Sequence, residues 1–112
     1  MNQPAVPLEV TVAEASALLA SGTGQALILD VREPHELAIN HIAGAEHIPM
    51  REIPAQMNTL PRDRHLLVLC HHGQRSLVVA HFLRAQGFTA VSNIAGGIEA
   101  WAMEIDPAMA RY

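Results

Sequence analysis

His65-Leu66-Leu67-Val68-Leu69-Cys70-His71-His72-Gly73-Gln74-Arg75-Ser76 is the stretch on which the reading of this chain turns. His65 to Leu69 is apolar almost without interruption, the pattern of a parallel strand buried on both faces. Ser76 to Gln86 has the apolar density of a helix packed against a sheet. The only cysteine, Cys70, therefore falls at a strand's carboxyl end, where open α/β sheets form their ligand crevices. The helix that follows offers unpaired N–H groups and the positive end of its dipole, so the turn is an anion cradle. Cysteines in such settings react as thiolates, which makes Cys70 a candidate nucleophile. The bland alternative is a small buried hydrophobe, the commonest use of a free cysteine. His-His-Gly-Gln-Arg does not suit a core position: Gly73 allows positive φ, and Arg75 brings a fixed positive charge near the sulfur.

Working outward, Thr11-Val12-Ala13-Glu14 has the form of a capping box, and the run to Ala20 reads as a helix stopped by Ser21-Gly22-Thr23-Gly24. A strand is expected over Ala26 to Val31, a short helix opened by Pro34 through Ala38, and an extended piece near His47-Ile48. Helix over Arg51 to Leu60, the Cys70 strand and its helix, strand near Thr89 to Ser92 and a short helix from about Gly97 to Met103 complete the series. Such alternation implies an α/β fold, a mostly parallel sheet with helices on both faces.

The 112 residues, half of them hydrophobic, suit one domain over 1–112 with a core that needs no metal or disulfide. One cysteine excludes an intrachain disulfide, and no basic start leads into a signal-like apolar run, so a reducing cytoplasm is expected. No apolar stretch approaches the roughly 20 residues of a membrane span. A net charge of −4, without a basic cluster, argues against nucleic acid. The seven histidines, His35, His41, His47, His65, His71, His72 and His81, form neither H-E-x-x-H nor a Cys/His ligand set, so no metal or other cofactor is expected.

With these residues in view, the chain resembles the rhodanese family of sulfurtransferases. Leu27-Ile28-Leu29-Asp30-Val31-Arg32-Glu33-Pro34 with Glu36 resembles the family's first signature, and His41-Ile42-Ala43-Gly44-Ala45 with Ile48-Pro49 its next block. Gly87-Phe88, Val91, Asn93-Ile94, Gly96-Gly97-Ile98 and Ala100-Trp101 resemble its closing part. Asn40 departs from the glycine common before the histidine; asparagine tolerates left-handed backbone, so the turn can survive. The resemblance implies a five-stranded sheet and a Cys70 that takes sulfur from a donor such as thiosulfate, becomes a persulfide, and passes the sulfur to cyanide, a thiol or a partner protein. Such double displacement is ping-pong.

Four residues separate Cys70 from Arg75. Phosphatases related to this family carry five there, a wider ring for a tetrahedral phosphate, and the shorter ring suits a sulfur atom. His71, His72, Gly73, Gln74 and Arg75 are accordingly expected to line the persulfide site, with Arg75 stabilising the anion by charge or else pairing with a carboxylate on a neighbouring loop. Asp30, Arg32 and His41 are expected to tie loops together, and Trp101 to pack beneath the loop. Two other functions compete: a sulfur-relay or regulatory interaction module, and a phosphatase or arsenate-reductase-like enzyme. The tail from Ile105 to Tyr112 could cover the domain or meet another subunit.

Overall fold

The structure is a computed structural model that describes residues 6–112. In chain order the elements are β1 (Glu9–Val10), α1 (Val12–Ala20), β2 (Ala26–Asp30), α2 (Pro34–Leu37), β3 (Glu46–His47), α3 (Ile53–Gln56), β4 (His65–Leu69), α4 (Gln74–Ala85), β5 (Val91–Ile94) and α5 (Gly97–Glu104). The five strands form one parallel sheet in the order β1-β5-β4-β2-β3. β4, the strand before Cys70, lies at its centre.

Alternation along β4 builds two cores. Leu66, Val68 and Cys70 face one of them, together with Ile53 of α3 and Val79, Ala80 and Leu83 of α4. Leu67 and Leu69 face the other, with Val12 and Ala15 of α1 and Ile98 and Trp101 of α5. Both faces of the sheet are therefore covered by helices, which is why β4 reads as a continuous apolar run. Its four apolar residues, Leu66 to Leu69, and Cys70 just beyond them are at most 1 % exposed.

Local sequence sets most boundaries. The α1 capping box is formed: the Glu14 amide donates to Thr11 Oγ1 at 3.0 Å, and the Thr11 amide to Glu14 Oε1 at 2.8 Å. The region expected as one helix over Arg51 to Leu60 is instead three pieces, 3₁₀ turns at Met50–Glu52 and Met57–Thr59 flanking the single turn of α3. Pro54 explains the break. It has no amide to donate, and in a continuous helix its ring would meet the carbonyl four residues earlier, so it sits in the first turn of a new helix. β5 begins two residues later than the start expected at Thr89 and extends to Ile94, because Asn93 and Ile94 pair with Glu9 and Val10 of β1. Two residues of β1 are too short for any periodicity to announce. Among the described residues, no helix is long and apolar enough to cross a membrane.

At the carboxyl edge the sheet pairing continues one residue beyond β2, the Val31 amide donating to the Leu69 carbonyl at 3.0 Å. The segments that begin with Cys70 and Arg32 thus leave adjacent strands side by side.

Candidate active site

The Cys70 loop is shaped from below and from within. Beneath it, the amino terminus of α5 receives two of its carbonyls: the Ile98 amide donates to Cys70 O at 2.9 Å and the Glu99 amide to His71 O at 3.1 Å. This docking requires Gly97, since a Cβ there would stand 2.4 Å from His71 O and 2.5 Å from Cys70 O, and its φ is +59°. Gly73 turns the chain into α4 with φ +102°, a left-handed conformation that only glycine adopts without strain. Asn93 of β5 pins that turn, its Nδ2 donating to Gly73 O at 3.0 Å and to Glu9 Oε2 at 2.9 Å.

Three donors converge on the sulfur. Cys70 Sγ accepts from the Gly73 amide at 3.1 Å, the Ser76 amide at 3.3 Å and the Ser76 hydroxyl at 3.2 Å. Cys70 is 1 % exposed and lies at the base of the loop. Fixed donors around a buried sulfur stabilise negative charge there without any reorganisation. Ser76, a residue that sequence reading treated only as the start of a helix, is therefore part of the site. α4 begins two residues earlier than expected, at Gln74, and that earlier start brings the Ser76 amide and hydroxyl to the sulfur.

Arg75 is in the loop, but its guanidinium pairs with Glu36 of α2 through two parallel bonds, Nη1 to Oε1 at 2.7 Å and Nη2 to Oε2 at 2.8 Å. Of the two roles open to it in the sequence, the described geometry is that of the carboxylate pair. The bidentate bond from Arg75 holds the Glu36 carboxyl well below the usual carboxylate range, against the burial that would raise it, with help from the Tyr112 hydroxyl. Arg75 is shifted upward by the same pair. Its side chain remains 36 % exposed, against 8 % for Glu36.

Asp30 and Arg32 form a second, fully buried pair. All five guanidinium N–H groups of Arg32 have acceptors: Nε and Nη2 bond Asp30, Nη1 bonds Asn40 Oδ1 at 2.8 Å and the Tyr112 hydroxyl at 2.9 Å, and Nη2 also bonds Asn40 O at 3.1 Å. Burial pulls the Arg32 pKa down, but Asp30 and Tyr112 outweigh it and the net shift is upward. His41, expected to fix the adjoining turn, is exposed and makes no side-chain hydrogen bond among the described residues. Asn40 does that work, and the residue is not left-handed, because among the described residues positive φ is confined to glycine. His47 adds a bond from Nε2 to Arg32 O at 2.7 Å. A side chain that both accepts from a buried arginine and donates to a carbonyl is the reason for asparagine at 40.

Of the remaining predicted residues, His71, His72 and Gln74 lie in the loop itself and Trp101 lies in the core. His71 is half-buried; its ring stacks on His72 with centroids 3.9 Å apart and on Tyr112 at the same distance. His72 and Gln74 are exposed. Trp101 is buried in the core beneath the α5 side of the sheet. Tyr112, Glu36 and Asn93 join the site from positions 20 to 84 residues distant from their partners, separations at which no local pattern in the sequence marks a contact.

Comparison with known proteins agrees with this architecture. The rhodanese-like domain family matches residues 11–104. The chain is 38 % identical over 92 residues to an Arabidopsis thaliana chloroplastic protein with rhodanese-like and PpiC domains, covering 79 % of this chain but only 31 % of that larger protein. It is 36 % identical over 88 residues to the thiosulfate sulfurtransferase GlpE of Pseudomonas fluorescens, covering 79 % of this chain and 78 % of the relative. Among solved structures, the human single-domain sulfurtransferase TSTD1 superposes with a TM-score of 0.79 at 30 % identity, covering 88 % of this chain and 98 % of that one. With its sheet order, its cysteine loop and these matches in agreement, the chain belongs to the rhodanese-like domain family.

Proposed function

We propose that the protein is a sulfurtransferase that carries sulfane sulfur on Cys70. The observation that supports this most directly is the set of three donors, the Gly73 amide and the Ser76 amide and hydroxyl, fixed around a sulfur at the base of a six-residue loop. With thiosulfate as donor, Cys70 thiolate attacks the outer sulfur. A bond forms between Sγ and that sulfur, the S–S bond to the sulfonate breaks, and its electron pair leaves with sulfite. The persulfide anion is stabilised by the loop's donors. In the second half, the acceptor's lone pair attacks the outer sulfur and the pair of the breaking S–S bond returns to Sγ. Cyanide leaves as thiocyanate; a small thiol or a cysteine of a partner protein leaves as a persulfide.

Access favours this chemistry over phosphoryl transfer. A thiosulfate presents one slim sulfur end-on, whereas a phosphate must seat three oxygens among donors around a sulfur that is 1 % exposed. A single cysteine acting as nucleophile also suits a reducing compartment such as the cytoplasm. Steady-state kinetics with thiosulfate and cyanide as varied substrates test the reading: parallel double-reciprocal lines, abolished in Cys70→Ser, are expected. Cys70-dependent hydrolysis of phosphate esters without sulfur transfer would overturn it.

A further inference from the structure

After α5 the chain turns back over the carboxyl edge of the sheet. The Ile105 and Asp106 amides both donate to Trp101 O, and Met109 packs against the core that contains Trp101. Asn40 Nδ2 then donates to Ala110 O at 2.7 Å, and Arg111 pairs with Glu99 of α5. These ties deliver Tyr112 to His71 of the Cys70 loop and to the Glu36–Arg75 pair, where it makes four contacts. Its hydroxyl donates to Glu36 Oε2 at 2.6 Å and accepts from Arg32 Nη1 at 2.9 Å. Its ring lies on His71, with planes 13° apart, and its main-chain oxygen accepts from His71 Nε2 at 2.8 Å.

The hydroxyl has an electrostatic consequence. Glu36 neutralises Arg75, the loop's cation, through both carboxylate oxygens. Each further donor on that carboxylate withdraws charge from it and leaves more of the positive potential of Arg75 directed outward. Tyr112 is the side-chain donor that shares Oε2 with Arg75. Removing the hydroxyl frees one Nη1 N–H of Arg32, whose side chain stays anchored by its four other N–H groups on Asp30 and Asn40. The stacking of the ring on His71 of the loop does not involve the hydroxyl.

We propose that Tyr112 is a positioning and specificity-determining residue of the sulfur site: its hydroxyl sets the charge that the Glu36–Arg75 pair offers to an anionic donor, and its ring narrows the mouth beside His71. The identity of that anion as a sulfur donor rests on the function proposed above; the effect on anion access does not. Tyr112→Phe keeps the ring and removes the hydroxyl, so Glu36 holds Arg75 more strongly and anions are disfavoured. Tyr112→Ala removes both.

The test uses the full chain and two alkylating probes of Cys70, anionic iodoacetate and neutral iodoacetamide, beside thiosulfate kinetics. In Tyr112→Phe the iodoacetate rate should fall about threefold or more, a fraction of the worth of one hydrogen bond to a charged group, with iodoacetamide unchanged. The KM for thiosulfate should rise by a similar factor at unchanged kcat. In Tyr112→Ala iodoacetamide should react faster than with the wild type. In a Glu36→Gln background, Tyr112→Phe should no longer alter the ratio of the two alkylation rates. An unchanged ratio in Tyr112→Phe, or a full change persisting in the Glu36→Gln background, would overturn the proposal. Altered alkylation in a protein that accepts sulfur from no donor would instead reject the sulfurtransferase reading and leave the role of Tyr112 standing.

Discussion

Arg32 and Arg75 both follow adjacent strands, Arg32 two residues past β2 and Arg75 in the first turn of α4 beyond β4, each paired with a carboxylate, and they are used in opposite ways. Arg32 is wholly buried and every N–H it carries has an acceptor. Among the described residues Arg75 makes two side-chain bonds, both to Glu36, and its side chain is 36 % exposed beside the loop that holds Cys70. A saturated buried network specifies structure and has nothing left to offer a ligand. A charge with unused donors at a mouth remains available to one. The two residues carry the same charge and each pairs with a carboxylate; the degree of saturation separates them.

The largest effect that should sharpen this contrast is Arg32→Ala. It strands the Asp30 carboxylate in the core, and breaking a buried pair in this way costs about 3–5 kcal/mol, a large share of the stability of a small domain. Denaturant titration should show the loss. Arg75→Ala should cost much less, about 1–2 kcal/mol for a partly exposed pair, while raising the KM for an anionic donor about tenfold. Equal losses of stability with an unaltered KM would erase the distinction.

Gly97→Ala probes the loop's foundation next. A Cβ overlapping the Cys70 and His71 carbonyls must displace the loop that aligns the donors on Sγ, and misalignment on that scale lowers turnover by about a hundredfold. Gly44→Ala is the matched control. Its φ of +84° imposes backbone strain on a substituted side chain, about 1–2 kcal/mol, but no described residue lies within 4 Å of the Cβ it would gain, so activity per folded molecule should be retained. Identical activity losses in the two would show that strain, not loop placement, is what matters.

The smallest effect is in pH dependence. The pKa of Glu36 is lowered in the folded protein, chiefly by Arg75, so the unfolded chain binds its proton first as pH falls. Its stabilising contribution is complete above the unfolded value of about 4.3 and is lost progressively as pH drops below that. Glu36→Gln should therefore narrow its stability deficit relative to wild type between neutral pH and pH of about 3, as followed by denaturation midpoints. A constant deficit would mean that the pair contributes nothing through its charge.

The sequence made the loop and sheet legible because their signals are local. A buried apolar strand, one cysteine and a glycine turn lie within a dozen residues, and the alternation along β4 follows directly from the pleat. The departures have equally local causes where a residue forbids the expected path, as Pro54 does. The rest was hidden by distance. Arg75 meets Glu36 across 39 positions and Tyr112 meets Glu36 across 76, so nothing near either residue in sequence distinguishes an ion pair from a free charge. His41 and Asn40 show a subtler failure. The turn is legible, but which of two adjacent polar residues faces Arg32 depends on the tail packed over it, since the Asn40 side chain bridges Arg32 and Ala110.

Intact-protein mass measurement after treatment with thiosulfate, with Cys70→Ser in parallel, tests the central claim that Cys70 carries sulfur. One added sulfur atom is expected on the wild type alone, removed by cyanide with release of thiocyanate. An adduct retained by Cys70→Ser, or a wild type that gains no sulfur from thiosulfate, persulfides or mercaptopyruvate, would contradict it.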